Sequence, residues 1–224
     1  MKLAIQTLAS MLFGVLFFGL ALFLPAQTFD YWQAWVFIAV FMAASIVPSI
    51  YLAGKDPAAL RRRLKAGPTA ETRPVQRIVI TATVLSVAAL LVLSAFDHRF
   101  GWSSVPVPVV IVGDVLVGIG LLGAQLVVIQ NGHAAATITV EAGQEVVSTG
   151  LYGVVRHPMY VGTLIMMAGT PLALDSYWGL IVLIPALLAL AARIVDEEKM
   201  LTEELTGYDA YKRKVRARLV PGVW

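Results

Sequence analysis

Two short polar runs interrupt an otherwise apolar chain. The first, Gly150 to Gly162, sets Arg156, His157 and Tyr160 around Pro158; the second sets Arg193 ahead of Asp196, Glu197 and Glu198. Arginine and histidine beside a helix N-terminus can seat a carboxylate, because the free N–H groups of the first turn add partial positive charge. A glutamate pair offers the opposite sign to an ammonium. Both signs together, roofed by apolar helices and flanked by tyrosines, suit the zwitterionic amino-acid end of a larger ligand. The same residues could instead form a structural ion pair, with the tyrosines in an interfacial belt, and spacing alone leaves both readings open.

The elements that must position these residues follow from Pro158. Proline is favoured as the first residue of a helix, where its missing N–H would be unpaired anyway, so Arg156 and His157 lie just before a helix. Pro158 to Leu174 and Tyr177 to Arg193 are seventeen residues each, or about 25 Å as helix. A tight turn at Asp175-Ser176 then returns the chain to the surface it left. Arg156, His157 and Tyr160 face Arg193, Glu197 and Glu198 across this hairpin, and Arg193 and Glu197, four apart, share a helix face. Free N–H groups are expected at Met159 and Tyr160.

The rest of the chain is membrane-like. Of 224 residues, 58% are hydrophobic and 14% charged, with a mean hydropathy of +0.79, against about 25% charged residues in soluble domains. The absence of cysteine excludes a disulfide framework, a thiolate metal site and a thiol nucleophile. A bilayer core about 30 Å thick needs roughly 20 apolar residues per helix, which predicts spans near 4–24, 32–53, 78–96, 106–130, 159–174 and 177–195, with Pro171 and Pro185 as kink points. The first span is read as retained, since it exceeds the apolar length of a cleaved signal. Sixteen of the 17 basic residues fall at one end of such a bundle and Arg99 alone at the other. The positive-inside rule therefore predicts cytoplasmic N- and C-termini. The basic residues lie beside the spans, where anionic lipid headgroups are their partners rather than nucleic acid.

The fold expected is all-α: one domain over residues 1–224, with four spans in 1–130, a motif-bearing region in 131–224, a hairpin of the last two spans and a helical cytoplasmic tail. Residues 54–77, with Asp56-Pro57 and the Arg61-Arg62-Arg63-Leu64-Lys65 run, read as an interfacial amphipathic piece facing lipid. Asp114, inside the fourth span, must face the bundle interior, since an ionised group there costs roughly 2.5 to 3.5 kcal/mol. It lines an inner cavity or makes one polar contact at a glycine-rich helix crossing. Trp32, Trp35 and Trp178 read as belt residues, and His98 and Arg99 carry no assigned function.

The run Gly150 to Gly162, then Arg193 to Leu201, then Tyr208-Asp209-Ala210-Tyr211 through Val220-Pro221, resembles the isoprenylcysteine carboxyl methyltransferase family. These are membrane methyltransferases that use S-adenosylmethionine and are related to the phospholipid N-methyltransferases. The resemblance covers the chain from about Asn131 onward. It implies that Arg156, His157, Pro158, Tyr160 and Gly162, with Glu197 and Glu198, form the donor pocket, and that Tyr208 and Tyr211 close it. Asn131 and His133 are expected near the same chamber, with Asp114 a further candidate on the acceptor side.

Methyl transfer from a sulfonium is an in-line displacement from an already activated donor, so alignment and exclusion of water dominate and no metal is required. A carboxylate acceptor needs only an orienting arginine, Arg156 or Arg193, whereas an amine needs a base such as His157, His133 or Glu198. The function expected is carboxyl methylation of a lipophilic acceptor drawn from the bilayer. The alternatives are N-methylation of a phospholipid amine, S-methylation of a small thiol, NADPH-dependent reduction, and a small transporter or scaffold.

Overall fold

The structure, a computed structural model, describes residues 2–71, 73–134, 137, 139, 140 and 143–224. It contains α1 (Lys2–Ala26), α2 (Trp32–Lys55), α3 (Pro57–Leu64), α4 (Pro74–Phe100), α5 (Val107–Gln130), α6 (Pro158–Ala173), α7 (Leu183–Glu204) and α8 (Tyr208–Lys214), with 3-10 turns at Gly150–Gly153 and Trp178–Val182. No strand occurs among the described residues. Prolines open several helices: Pro57, Pro74 and Pro158 stand at the first turns of α3, α4 and α6, where a lost N–H costs nothing. Asp56 adds a cap to α3, its carboxylate accepting from the Ala59 N–H at 2.9 Å.

Five segments are long and apolar enough to cross a membrane: Ile5–Ala26, Trp32–Lys55, Pro74–Phe100, Val107–Gln130 and Trp178–Glu204. The expected sixth, over 159–174, is the 16-residue α6, about 24 Å long and below the length of the others. Pro158 fixes where it begins, and the left-handed turn at Asp175, φ +56, follows its end. The last span also differs from expectation, since α7 continues to Glu204 and holds Asp196, Glu197 and Glu198 on regular helix. The tail is only partly helical: α8 has 7 residues and is followed by an irregular strap to Trp224.

The α6–α7 pair is not the packed hairpin the sequence suggested. Helix α6 packs chiefly on α5, and α7 chiefly on α4. The cause is a file of glycines. A Cβ at Gly120 would lie 2.5 Å from the Gly162 carbonyl and the Met166 nitrogen, and one at Gly169 would lie 2.6 Å from the Gly113 carbonyl. These contacts bring α5 and α6 together backbone to backbone, the arrangement that small residues permit inside a membrane.

The return turn is held by a buried polar collar. The Asp97 carboxylate accepts from the Ser103 N–H at 2.7 Å and from the Ser103 and Ser176 hydroxyls at 2.6 and 2.7 Å. That of Asp175 accepts from the Val105 N–H at 2.6 Å and the Gln33 amide at 3.1 Å. Loops at this end are therefore tied to one another, and the feet of α6 and α7 meet at the opposite end.

Candidate active site

The two polar corners converge. The Tyr160 hydroxyl donates to Glu197 Oε2 at 2.6 Å and receives Arg193 Nε at 2.9 Å. Arg156 Nε donates to Glu198 Oε1 at 2.6 Å, and His157 Nε2 lies 3.2 Å from the same oxygen. His157 also stacks on Tyr160, with ring centroids 5.5 Å apart, and its Nδ1 stands 3.9 Å from Glu197. At the helix N-terminus the Tyr160 N–H, expected to be free, donates to the His157 carbonyl at 3.1 Å.

The neighbouring glutamates have different surroundings. Glu198, with its side chain 7% exposed, is enclosed by Arg156, His157 and, at 2.9 Å, Arg218. It faces away from the main cavity. Arg156 is further fixed by donating from Nη1 to the carbonyls of Val215 and Arg216 at 2.9 and 2.7 Å. The backbone N–H groups of Arg156 and His157 donate to the Ala217 and Arg218 carbonyls, so the strap locks the basic corner from behind. Glu197, 22% exposed, opens onto the cavity.

That cavity contains about 820 Å³ of empty space including its open mouth, within the range of pockets that hold small ligands. Among its walls are Arg156, His157, Pro158, Tyr160, Arg193, Glu197, Tyr208, Tyr211, Asn131 and His133. Glu198 stands behind the wall. Gly162 does not reach the cavity, because it sits at the α5 crossing, where a Cβ would meet the Gly120 carbonyl at 2.6 Å. Asp114 is 17 residues before Asn131 on α5, about 25 Å away along the axis. It is buried, and its Oδ1 has no hydrogen-bond partner among the described residues.

Tyrosines close the cavity on the tail side. The Tyr211 hydroxyl donates to the Tyr152 carbonyl at 2.8 Å, and the Asn131 amide to the Tyr152 hydroxyl at 3.3 Å. Burial pushes the Tyr152 phenol up to about 12, with the Glu197 charge adding to the shift and the Asn131 bond opposing it; Tyr208 and Tyr211 are raised as well, chiefly by burial. All three are neutral donors at physiological pH. The buried Tyr208 hydroxyl has no partner among the described residues. Gly150 supports this wall from outside: its φ is +58, and a Cβ there would collide with the Gln130 amide, which donates to the Thr149 carbonyl and accepts from the Leu151 N–H.

Residues 54–77 correct the sequence reading most. They do not simply face lipid. Arg62 Nε donates to the Gly132 carbonyl at 2.8 Å and so holds the loop that carries His133. The buried Glu71 and Gln76 each accept from Arg193 Nη1 at 3.0 Å, and Arg73 grips Asp196 through two nitrogens at 2.9 and 3.2 Å. Glu71, one of two acids among seven basic residues between 55 and 77, is the signal that pointed to an inward role. Tyr152, Arg218 and the cavity-bordering Thr137, Thr139 and Gln144 to Val147 were likewise not anticipated.

A cleft of both signs, walled by this motif at the foot of apolar helices, agrees with an independent comparison. Residues 108–207 match the phospholipid methyltransferase family. This family includes the isoprenylcysteine carboxyl methyltransferases, so the resemblance read from Gly150 onward holds at that level, and the match supports membrane methyl transfer in general terms. It spans α5, α6 and α7 and ends just before Tyr208. No curated protein matches the chain.

Proposed function

We propose that this protein is a methyltransferase that uses S-adenosylmethionine to methylate the carboxylate of a lipophilic acceptor at the cytoplasmic face of its membrane. The observation that carries the reading is the meeting of Glu197, Tyr160 and Arg193 in one cleft whose wall also bears the Tyr208 hydroxyl, which has no partner among the described residues. An acidic group for an ammonium, basic groups for carboxylates, and a buried donor in need of an acceptor all fit such a donor molecule. When bound, S-adenosylmethionine supplies a methyl group on an activated sulfonium.

Glu197, aligned by Tyr160, receives the amino-acid ammonium, and the basic corner of Arg156 and His157 supplies the complementary field for its carboxylate. Arg193 orients the acceptor carboxylate. Tyr152, Tyr208 and Tyr211 keep water from the reacting pair, which strengthens the electrostatics of a displacement that cancels charge. Glu198, enclosed behind the cavity wall, holds His157 through Nε2 and does not itself face an acceptor as a base. Glu198 acts by holding Arg156 and His157 in place. The segregation of basic residues at the site's end supports the cytoplasmic orientation, and α6, sheltered along α5, completes the sixth crossing.

The family description favours a second reading, N-methylation of a phospholipid amine, with His133 on the cavity wall as base. Calorimetric titration of purified protein with S-adenosylhomocysteine and with NADPH tests the class. Binding of the first, weakened several-fold in Tyr208→Phe at unchanged thermal stability, is expected; binding of NADPH alone would overturn it. Labelled donor offered with prenylated cysteines, phosphatidylethanolamine and small thiols separates the acceptors, because a methyl ester releases its label in base while an N-methyl group does not.

A further inference from the structure

The linker between α3 and α4, together with the first turn of α4, enters the site through Arg193. Glu71, 2% exposed, and Gln76, fully buried, both accept from Arg193 Nη1, while Nε of the same guanidinium donates to Tyr160. The Gln76 amide also donates to Asp196, which Arg73 holds from its other side. Glu71 is 122 residues from Arg193 and lies outside the matched segment 108–207. An arginine side chain has several rotatable bonds and loses considerable rotamer entropy on being fixed, so a guanidinium on a cavity wall points in one direction only if other groups hold it. Here a carboxylate and an amide oxygen grip one edge and a phenol the other.

We infer that Glu71 and Gln76 are positioning residues which set the Arg193 guanidinium toward the acceptor's anionic group, so that acceptor selection depends on the α3–α4 linker as well as on the motif region. This rests on the methyltransferase reading and deepens it. Glu71 supplies the charge that keeps Arg193 from swinging onto Glu197. Gln76 supplies the direction, since its own amide is fixed by Asp196. Donor binding, centred on Glu197 and the basic corner, is served by other contacts.

The test is a double-mutant cycle on the full chain in detergent, with N-acetyl-S-farnesylcysteine as acceptor probe and S-adenosylhomocysteine as donor-site probe. Glu71→Gln preserves shape and is expected to raise the probe's KM about fivefold to tenfold, or to weaken its binding to the S-adenosylhomocysteine complex equally if turnover is slow. Donor-site affinity should stay within about twofold. In an Arg193→Lys background, Glu71→Gln should add nothing, because its effect runs through the guanidinium; Gln76→Leu gives the same comparison without a change of charge. Additive losses, equal loss of donor and probe affinity, or an unchanged probe KM in both variants would overturn the inference. Wild-type protein that fails to bind S-adenosylhomocysteine would instead overturn the methyltransferase reading.

Discussion

Glu197→Ala and Glu198→Ala change adjacent residues of one helix and are expected to give opposite phenotypes. Glu198 accepts from Arg156 at 2.6 Å, His157 at 3.2 Å and Arg218 at 2.9 Å. Its removal leaves the Arg156 guanidinium, 8% exposed, without its counter-charge. Breaking a buried ion pair in this way costs about 3–5 kcal/mol, whereas the half-open Arg218 contact, at 31% exposure, adds at most about 1 kcal/mol. At roughly 2–4 °C per kcal/mol for a chain of this size, thermal unfolding should fall by about 6–24 °C. Glu197 makes one short bond to Tyr160 and is partly open to the cavity, so its loss should cost folding only about 1 kcal/mol. If it holds the donor's ammonium, however, a charge-assisted contact of about 1.5–3 kcal/mol disappears, which is about tenfold to 150-fold in affinity. Thermal unfolding and S-adenosylhomocysteine titration, run on both variants in one detergent, decide the matter. Wild-type stability in Glu198→Ala, or unchanged donor-site affinity in Glu197→Ala, would refute the division of labour.

Gly162→Ala places a methyl group 2.6 Å from the Gly120 carbonyl and 2.9 Å from the Ala124 nitrogen, both rigid backbone atoms. The expected cost is about 1–3 kcal/mol, read as a lower unfolding temperature, and donor affinity should fall as the foot of α6 moves; an unchanged unfolding temperature would mean that α5 and α6 are not in backbone contact. Alkaline pH offers a second check. Because Tyr152 is raised from 10.0 to about 12, the folded state holds that proton longer than the unfolded chain. The stability it confers is complete below pH 10 and is lost as pH rises toward 12, by at most about 1.4 kcal/mol per pH unit. Unfolding temperature measured between pH 9 and 11.5 should therefore fall less steeply in Tyr152→Phe than in wild type, and equal slopes would contradict the burial of this phenol.

Local pattern along the chain is enough to fix the chemistry of the elements. Apolar runs of bilayer length make the spans, and Pro158 fixes where α6 begins. Helical rise then carries Arg156, His157 and Tyr160 to the level of Arg193 and Glu197. These conclusions need only local periodicity, which each segment carries within itself. Tertiary structure alone decided the partners. It showed α6 lodged against α5 rather than α7, because four glycines on two helices matter only once they face each other. It separated Glu197 from Glu198, although both are glutamates on the same turn, because exposure depends on which neighbours arrive. It also brought Glu71 across 122 residues to Arg193, a meeting that no spacing in the chain encodes, since buried charge is matched in space and not in sequence order.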